Sequence, residues 1–153
     1  MKRRAPLWLA VAAATAGFAA QAPAADAAAG IVKRLRGEVT LQRAELALAP
    51  VPGTAVRVGD RFITGADGSV GITMADDTLL TAGPGSTLVI SEFRFDSTTN
   101  EGGLLASLWK GTLHIVTGLI AKQTPQNVNV QTRNALMGVR GTEFIVDASG
   151  DTR

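Results

Sequence analysis

One histidine, His114, is the residue of this chain best suited to acid–base or metal chemistry. A histidine-rich zinc site needs further histidines or cysteines, and the chain has no other histidine and no cysteine. A catalytic triad would need a nucleophile beside it; Ser107 and Ser149 are present, but no Gly-x-Ser-x-Gly turn is. His114 is therefore predicted to pack on or near the face of a β-sheet.

The acidic residues do not form a pattern typical of hydrolysis or metal binding either. Asp76 and Asp77 are adjacent, so a strand would direct them to opposite faces, whereas a turn would use them to tighten its backbone. Glycoside hydrolysis needs two carboxyl groups that face each other across a cleft. The tail Asp147-Ala148-Ser149-Gly150-Asp151 lacks the later glutamate of a calcium loop and is interpreted as a hairpin turn. We predict no catalytic residue and no metal ligand.

Two features could bind a small ligand. The segment Gly83-Pro84-Gly85-Ser86 is glycine-rich, but neither a lysine nor a helical pattern follows it, as a phosphate-binding loop requires. Of the two tryptophans, Trp8 lies in the apolar N-terminal stretch, which leaves Trp109 as the one ring for stacking. We interpret Trp109 as a core or edge residue, and we expect no cofactor.

The elements that position these residues are predicted to be strands, because apolar and polar residues alternate with a period of two along most of the chain. Examples are the stretches around Val39, Val70 and Val128. The runs 87–90 and 113–116 are apolar on both sides, which favours inner strands covered on both faces. The run 104–109 comes nearest to a helical turn and is still predicted as a strand.

Glycines mark where the strands begin. A glycine, a polar residue and then an apolar strand occur together at Gly37, Gly85, Gly111 and Gly141, with a shorter example at Gly68. The most polar loop, 95–103, is expected on the surface. This pattern predicts an all-β fold, a two-layer β-sandwich or jelly-roll-like roll of about 9–12 short strands. An irregular β-solenoid is the alternative, disfavoured because the glycine spacing is uneven.

The N-terminal segment has the pattern of an export signal. The cations Lys2-Arg3-Arg4 precede an apolar stretch, 7–20, that is short for a membrane span. Small residues follow, with a cleavage site expected after Ala27 or, failing that, after Ala24; an uncleaved anchor is the alternative. We expect a signal peptide at 1–27, one domain at 28–153 and a periplasmic location.

Removing that segment changes the charge of the chain. The whole sequence has 15 basic and 13 acidic residues, and residues 1–27 contain three of the former and one of the latter. The remaining domain is neutral, so we expect no nucleic acid as a partner and no membrane insertion after cleavage. The one cluster of cations left is Lys33-Arg34-x-Arg36. Without cysteines the domain must be stabilised by its core.

The stretch Asn134-Ala135-Leu136-Met137-Gly138-Val139-Arg140-Gly141-Thr142-Glu143-Phe144 resembles the closing motif of the FecR domain, Thr-Pro-x-Ala-x-x-Gly-Val-Arg-Gly-Thr-x-Phe. Other elements of that family match in order, and the resemblance covers residues 31–147. They are Gly37-Glu38-Val39, Val58-Gly59-Asp60-Arg61-Phe62-Ile63-Thr64-Gly65, Gly68-Ser69-Val70 leading to Asp76-Asp77-Thr78-Leu79-Leu80, Gly83-Pro84-Gly85-Ser86-Thr87-Leu88, and Trp109-Lys110-Gly111-Thr112-Leu113.

The resemblance implies a periplasmic all-β domain, which in the best-known members senses a signal from an outer-membrane receptor and controls a cytoplasmic sigma factor. Those regulators have a cytoplasmic anti-sigma segment ahead of a membrane helix, whereas here only 1–4 precede the apolar run. The chain therefore resembles the free-standing, secreted type of the domain. Asp77 replaces a usual glycine, and Arg133-Asn134 replaces a proline region. The family continues beyond the position of Arg153, so we expect a truncated or minimal C-terminus that leaves a sheet edge unpaired.

The preferred function is a non-enzymatic protein-binding or signal-sensing module that docks another envelope protein through a sheet edge. An envelope accessory or enzyme acting on glycan is the alternative, and a structural scaffold is a third; the oligomeric state is left open. The structural or interaction candidates are Gly138, Val139, Arg140, Gly141, Thr142, Gly59, Asp60 and Trp109.

Arg140, which lies between Gly138 and Gly141, has two interpretations. It could bind a partner's carboxylate bidentately, or it could fold back over the domain onto strand-end carbonyls or an acid such as Asp60. We prefer the second, because flanking glycines suit a buried turn and buried arginines are normally paired. On that interpretation, losing the side chain would cost about 3–5 kcal/mol.

Overall fold

The computed structural model describes residues 27–150, which form two β-sheets packed face to face. The predicted signal peptide lies, apart from Ala27, outside the described residues. No helix within 27–150 is long and apolar enough to span a membrane. The strands are β1 (Gly30–Arg36), β2 (Val39–Arg43), β3 (Leu46–Leu48), β4 (Ala55–Val56), β5 (Arg61–Thr64), β6 (Ser69–Met74), β7 (Leu79–Ala82), β8 (Thr87–Phe95), β9 (Gly102–Lys110), β10 (Thr112–Val116), β11 (Val128–Gln131), β12 (Leu136–Gly138) and β13 (Glu143–Asp147).

Sheet I has the order β13-β10-β7-β6-β1-β4, and sheet II has the order β12-β11-β9-β8-β5-β2-β3. All neighbours are antiparallel except β9 and β11, which are parallel. A short helix, α1 (Leu119–Gln123), and a 3₁₀ turn at Pro125–Asn127 make the connection between β10 and β11, through which the chain passes from sheet I to sheet II. The all-β, two-layer sandwich is confirmed, and the alternative of an irregular solenoid is wrong.

The described chain has 13 strands, more than the expected 9–12. The difference comes from β3, β4 and β12, which are two or three residues long. A run that short shows too little alternation to be recognised from the sequence.

The core lies between the sheets and is built from every second residue of the strands. The exposed fraction is 1% or less for the large apolar side chains Phe62, Leu88 and Leu108 of sheet II and Ile72, Leu80 and Leu113 of sheet I. Each such side chain stabilises the fold by about 1.5–3 kcal/mol relative to exposure. The period-two pattern thus predicted the buried face of these strands correctly.

The runs 87–90 and 113–116 were expected to be covered on both faces, and this is wrong. Both lie within the interior of a sheet, as expected, but only their alternate residues are buried. The other residues are partly exposed, because within residues 27–150 no third layer covers the outer faces of the two sheets. His114 is one of these outward residues, with its side chain 38% exposed.

Strand starts follow the glycine pattern. Gly37, Gly85, Gly111 and Gly141 all have positive φ, which side chains rarely adopt. Asp77, at the position where the family has glycine, also has a positive φ of 67°. The turn between β6 and β7 thus explains why the family usually has glycine at this position. Aspartate tolerates a positive φ better than most residues do.

Run 104–109 lies within β9, so the predicted strand is confirmed. The expected surface loop at 95–103 is shorter than the sequence suggested. Phe95 ends β8 and pairs with Gly102, the first residue of β9, which leaves residues 96–101 as the loop of a long hairpin. Asp96 closes this loop by accepting a hydrogen bond from the backbone N–H of Thr98 at 2.8 Å.

Candidate docking site at the C-terminal arch

Residues 136–147 form what we call the C-terminal arch: β12 on sheet II, a crossover at 139–142, and β13 on sheet I. β11 is parallel to β9 and turns back through residues 132–135 into β12. The chain then crosses between the layers and pairs β13 with β10. The arch therefore supplies the last strand of both sheets on one side of the sandwich.

The glycine–arginine motif is the crossover itself, and its backbone is held at three points. Val139 is buried, and its N–H donates to the carbonyl of Val128 at 3.0 Å. On the other leg, the Thr117 N–H donates to the Thr142 carbonyl at 2.9 Å, and its hydroxyl donates to the Gly141 carbonyl at 2.9 Å. Val139 thus anchors the motif in the core and Thr117 anchors it to sheet I.

Gly141 is the position of the motif that needs a glycine. Its φ is 111°, and a Cβ built there would lie 3.3 Å from the Phe144 ring. Gly138 is different, because a Cβ there would lie 3.7 Å from the nearest atom, Oδ1 of Asn129, an ordinary contact. The two glycines of the motif therefore have unequal structural roles.

Arg140 is exposed, and within residues 27–150 its side chain has no hydrogen bond or ion pair. The preferred interpretation, in which it folds back onto strand-end carbonyls or Asp60, is wrong. Val139 is buried, whereas the next residue, Arg140, is exposed to solvent. The guanidinium is left free to bind a group from outside.

Asp60 is buried, with 1% of its side chain exposed, and its partner is Arg43. Nε of Arg43 donates to Oδ1 at 2.9 Å and Nη2 to Oδ2 at 2.7 Å, a bidentate pair. Nη2 also donates to the Ala55 carbonyl on β4 at 2.8 Å, so the guanidinium joins sheet II to sheet I. Its hydrogen bond to Asp60 is the main reason why the pKa of Arg43 is raised.

Arg43 was not among the residues selected from the sequence. The available signal was its alternation with Leu41, which places the two side chains on the same face of β2. Since Leu41 is buried, a cation two residues later points toward the core, where an anion offsets the cost of its desolvation. Gly59, with φ of 90°, forms the turn that brings Asp60 to Arg43. The N–H of Gly59 donates to the Ile90 carbonyl at 2.7 Å.

Trp109 is neither a core residue nor on an edge strand. It lines a surface cleft of about 210 Å³ between the turn from β11 to β12 and the residues that follow β13. Thr132, Arg133 and Asp147 line the same cleft. The cleft therefore adjoins both legs of the arch, at the end away from Arg140.

The remaining chemical candidates have structural partners. Nε2 of His114 lies 2.6 Å from Oε1 of Glu143, which links β10 to β13. The Ser107 hydroxyl bonds to that of Ser91 at 2.5 Å. In the part of the chain that the structure describes, no group of three or more acidic and histidine side chains is placed to hold a metal ion.

Asp76 is a buried turn residue, as its sequence context suggested. Its Oδ2 accepts from the Thr78 hydroxyl at 2.7 Å and its Oδ1 from the Thr78 N–H at 3.2 Å. The backbone carbonyl of Asp76 also accepts from the N–H of Leu119 at 2.7 Å, so this turn holds the start of α1.

Exposed apolar side chains lie along the arch. Leu136 and Met137 on β12 are 67% and 37% exposed, and Ile145 on β13 is 75% exposed. Among the described residues both strands are sheet edges, and the outward backbone groups of such an edge can accept another strand. The arch thus combines open edges, apolar side chains and a free guanidinium, which is the chemistry of a protein-docking surface.

Comparison with known proteins gives one match. A family model described as FecR protein matches residues 60–153, more than half of the chain. No curated protein matches, and no solved structure matches.

Proposed function

Because the chain belongs to the FecR family, we propose that it is a non-enzymatic module of the bacterial envelope that binds a protein partner or senses a signal through the C-terminal arch. We further propose that it is of the free-standing, secreted type and works in the periplasm. The pattern of Lys2–Arg4 followed by an apolar stretch and small residues supports the export step.

The C-terminal arch is the observation that carries this proposal. Within the described residues, one continuous segment, 136–147, provides an open edge to each sheet. It contains Gly138-Val139-Arg140-Gly141-Thr142, the centre of the stretch that resembles the family's closing motif. The backbone of the crossover is held by buried Val139 and by the hydrogen bonds from Thr117, so Arg140 is presented outward from an anchored turn. Residues that bind from rigid backbone lose little conformational entropy on binding.

The proposed mode of docking is strand addition to β12. The partner strand would use the unpaired backbone groups of this edge and cover Leu136 and Met137. Arg140, at the end of the same edge, would bind a carboxylate of the partner bidentately. Main-chain hydrogen bonds would supply affinity, and the guanidinium would fix the register of the added strand.

Site-specific photo-crosslinking in the envelope tests the proposal. A photoreactive residue at position 136 is expected to capture a discrete protein partner. The same residue at position 58 serves as the control, because Val58 is 50% exposed but lies in the turn before β5, away from the arch. Arg140→Glu should abolish the crosslink at 136. Equal capture at both positions, or capture that is indifferent to Arg140→Glu, would refute docking at the arch.

A further inference from the structure

The outer face of sheet I is divided by charge. Arg34 and Arg36 point outward from β1, and Lys33 lies at the register shift beside them. At the far side of the same face, Glu143 and Asp147 point outward from β13. Three strands separate β1 from β13, so the two charged columns are about 19 Å apart and do not neutralise each other within one molecule.

A hollow lies on the cationic side. It has a volume of about 560 Å³, and its floor is Gly71, the residue of β6 that pairs with Arg34 and Thr81. Leu79 forms one wall, and an adjoining hollow of about 540 Å³ extends to Arg36. None of the described residues that line the two hollows is acidic. Within residues 27–150 the side chains of Lys33, Arg34 and Arg36 have no ion pair or hydrogen bond.

A protrusion lies on the anionic side. Ile145 is the most exposed large apolar residue in the described chain, at 75%, and it lies between Glu143 and Asp147 on the outward face of β13. The register across the sheet places it in the same row as the hollow: Ile145 is opposite His114, His114 opposite Thr81, and Thr81 opposite Gly71. The face therefore has a protrusion and a hollow at one level along the strands.

We propose that this face is self-complementary and binds a second copy of the same chain. A two-fold axis parallel to the strands, between β7 and β10, places β13 of the second copy over β6. Ile145 of the second copy then enters the hollow over Gly71, and its Asp147 lies above Ser69, the neighbour of Arg36. Near the axis, Leu79 faces Val116 of the second copy, because these two residues are paired within one sheet.

A second copy fits this surface better than an unrelated acidic peptide. The symmetry makes each contact twice, so that both hollows receive an isoleucine and both cationic columns meet a carboxylate. An extended peptide would fill the hollow but leave Ile145 exposed. Two twisted sheets stack face to face in this way in many β-proteins.

The dimer should be weak. Four overlapping strands of about five residues cover roughly 19 Å by 17 Å, well below the area of about 800 Å² that each partner buries in a standard stable interface. This interaction does not depend on the proposed docking at the arch, because β12 belongs to sheet II and stays open in the dimer.

The first test is sedimentation of the protein purified from cells expressing the full chain, at concentrations up to about 1 mM. Gly71→Val should leave a monomer, because it fills the hollow. The substitution is compatible with the fold, since a Cβ at Gly71 would lie 3.5 Å from the nearest atom, Cβ of Arg34, and φ there is not positive. Ala47→Val, on exposed β3 of sheet II, is the matched control and should dimerise as the wild type does.

Charge reversal supplies an independent test. Arg36→Glu and Asp147→Lys should each weaken the dimer about tenfold or more, because each places like charges together at two symmetric contacts. An equimolar mixture of the two variants should dimerise again, since every reversed residue then meets its complement. A wild-type chain that stays monomeric, a dimer unaffected by Gly71→Val, or a mixture that does not recover would each overturn the proposal.

Discussion

Asp60 is a buried carboxylate whose charge is balanced, among residues 27–150, by a single side chain, Arg43. Its carboxylate accepts two hydrogen bonds from Arg43 and one, at 2.8 Å, from the Arg57 N–H. A buried charge that loses its partner keeps the cost of desolvation without the compensating attraction. Arg43 is therefore needed for the stability of the fold, and this role is independent of where a partner binds.

Arg43→Ala is expected to lower the free energy of unfolding by about 3 kcal/mol, since it leaves Asp60 buried and unpaired. A thermal or denaturant melt measures this. Arg57→Ala is the matched control, because the contribution of Arg57 to Asp60 is through its backbone N–H and survives the substitution. Similar melting of the two variants would show that the ion pair does not stabilise the fold.

Arg140→Ala, by contrast, is expected to change the free energy of unfolding by no more than about 0.5 kcal/mol, the usual range for exposed positions. The sequence alone suggested a loss of about 3–5 kcal/mol, on the premise of a buried acidic partner, and no residue in 27–150 is such a partner of Arg140. A melt of the variant beside wild type decides between the two values. A loss of several kcal/mol would mean that the guanidinium is needed for folding.

At the scale of elements, the C-terminal arch is the part of the domain whose conformation depends on single backbone positions. The crossover has only four residues, 139–142, with which to pass from sheet II to sheet I. It does so with Val139 in the core and Gly141 in a conformation that a side chain would strain. The residues of the family motif therefore meet the geometric requirements for joining the two sheets. Arg140, which lies between Val139 and Gly141, is exposed to solvent as a result.

Gly141→Ala is expected to destabilise the domain by about 1–2 kcal/mol, because φ is positive and the Phe144 ring is close. Amide hydrogen exchange should rise most in β12 and β13. Gly138→Ala, in the same arch, is the control and should have little effect on either measurement. If both variants exchange alike, the strain at Gly141 is not what holds the arch.

At the scale of the whole molecule, the domain is a sandwich with asymmetric surfaces. One side ends in the arch with its apolar edges, and the outer face of sheet I separates positive from negative charge. The neutral total charge expected for residues 28–153 therefore conceals two columns of opposite sign. A protein with this distribution can associate through charge even without a net charge.

Export is the prediction that belongs to the whole chain. We expect processing after Ala27 or Ala24, because a positive n-region, a short apolar stretch and small residues precede those positions. N-terminal sequencing of the protein recovered from an envelope fraction measures it. Recovery of an intact Met1 in membrane-bound material would favour the alternative of an uncleaved anchor.

The sequence by itself determined the local properties of this protein. Alternation with a period of two identified the strands and their buried faces, and glycines marked positions of positive φ, because both effects depend on neighbours within a few residues. The ordered motifs also identified the family. Where short edge strands such as β3 and β12 begin and end was not predictable, since two or three residues contain too little of that pattern.

Only the tertiary structure decided which distant residues meet. Asp60 could have paired with any of the cations, and its choice of Arg43 depends on how β2 and β5 align in sheet II. Likewise, Arg140 is exposed because the crossover turns Val139 inward, and the hollow over Gly71 exists because three strands come together there. Alternation states which face of a strand is buried, but the partner on that face is set by long-range sheet order, which no local pattern encodes.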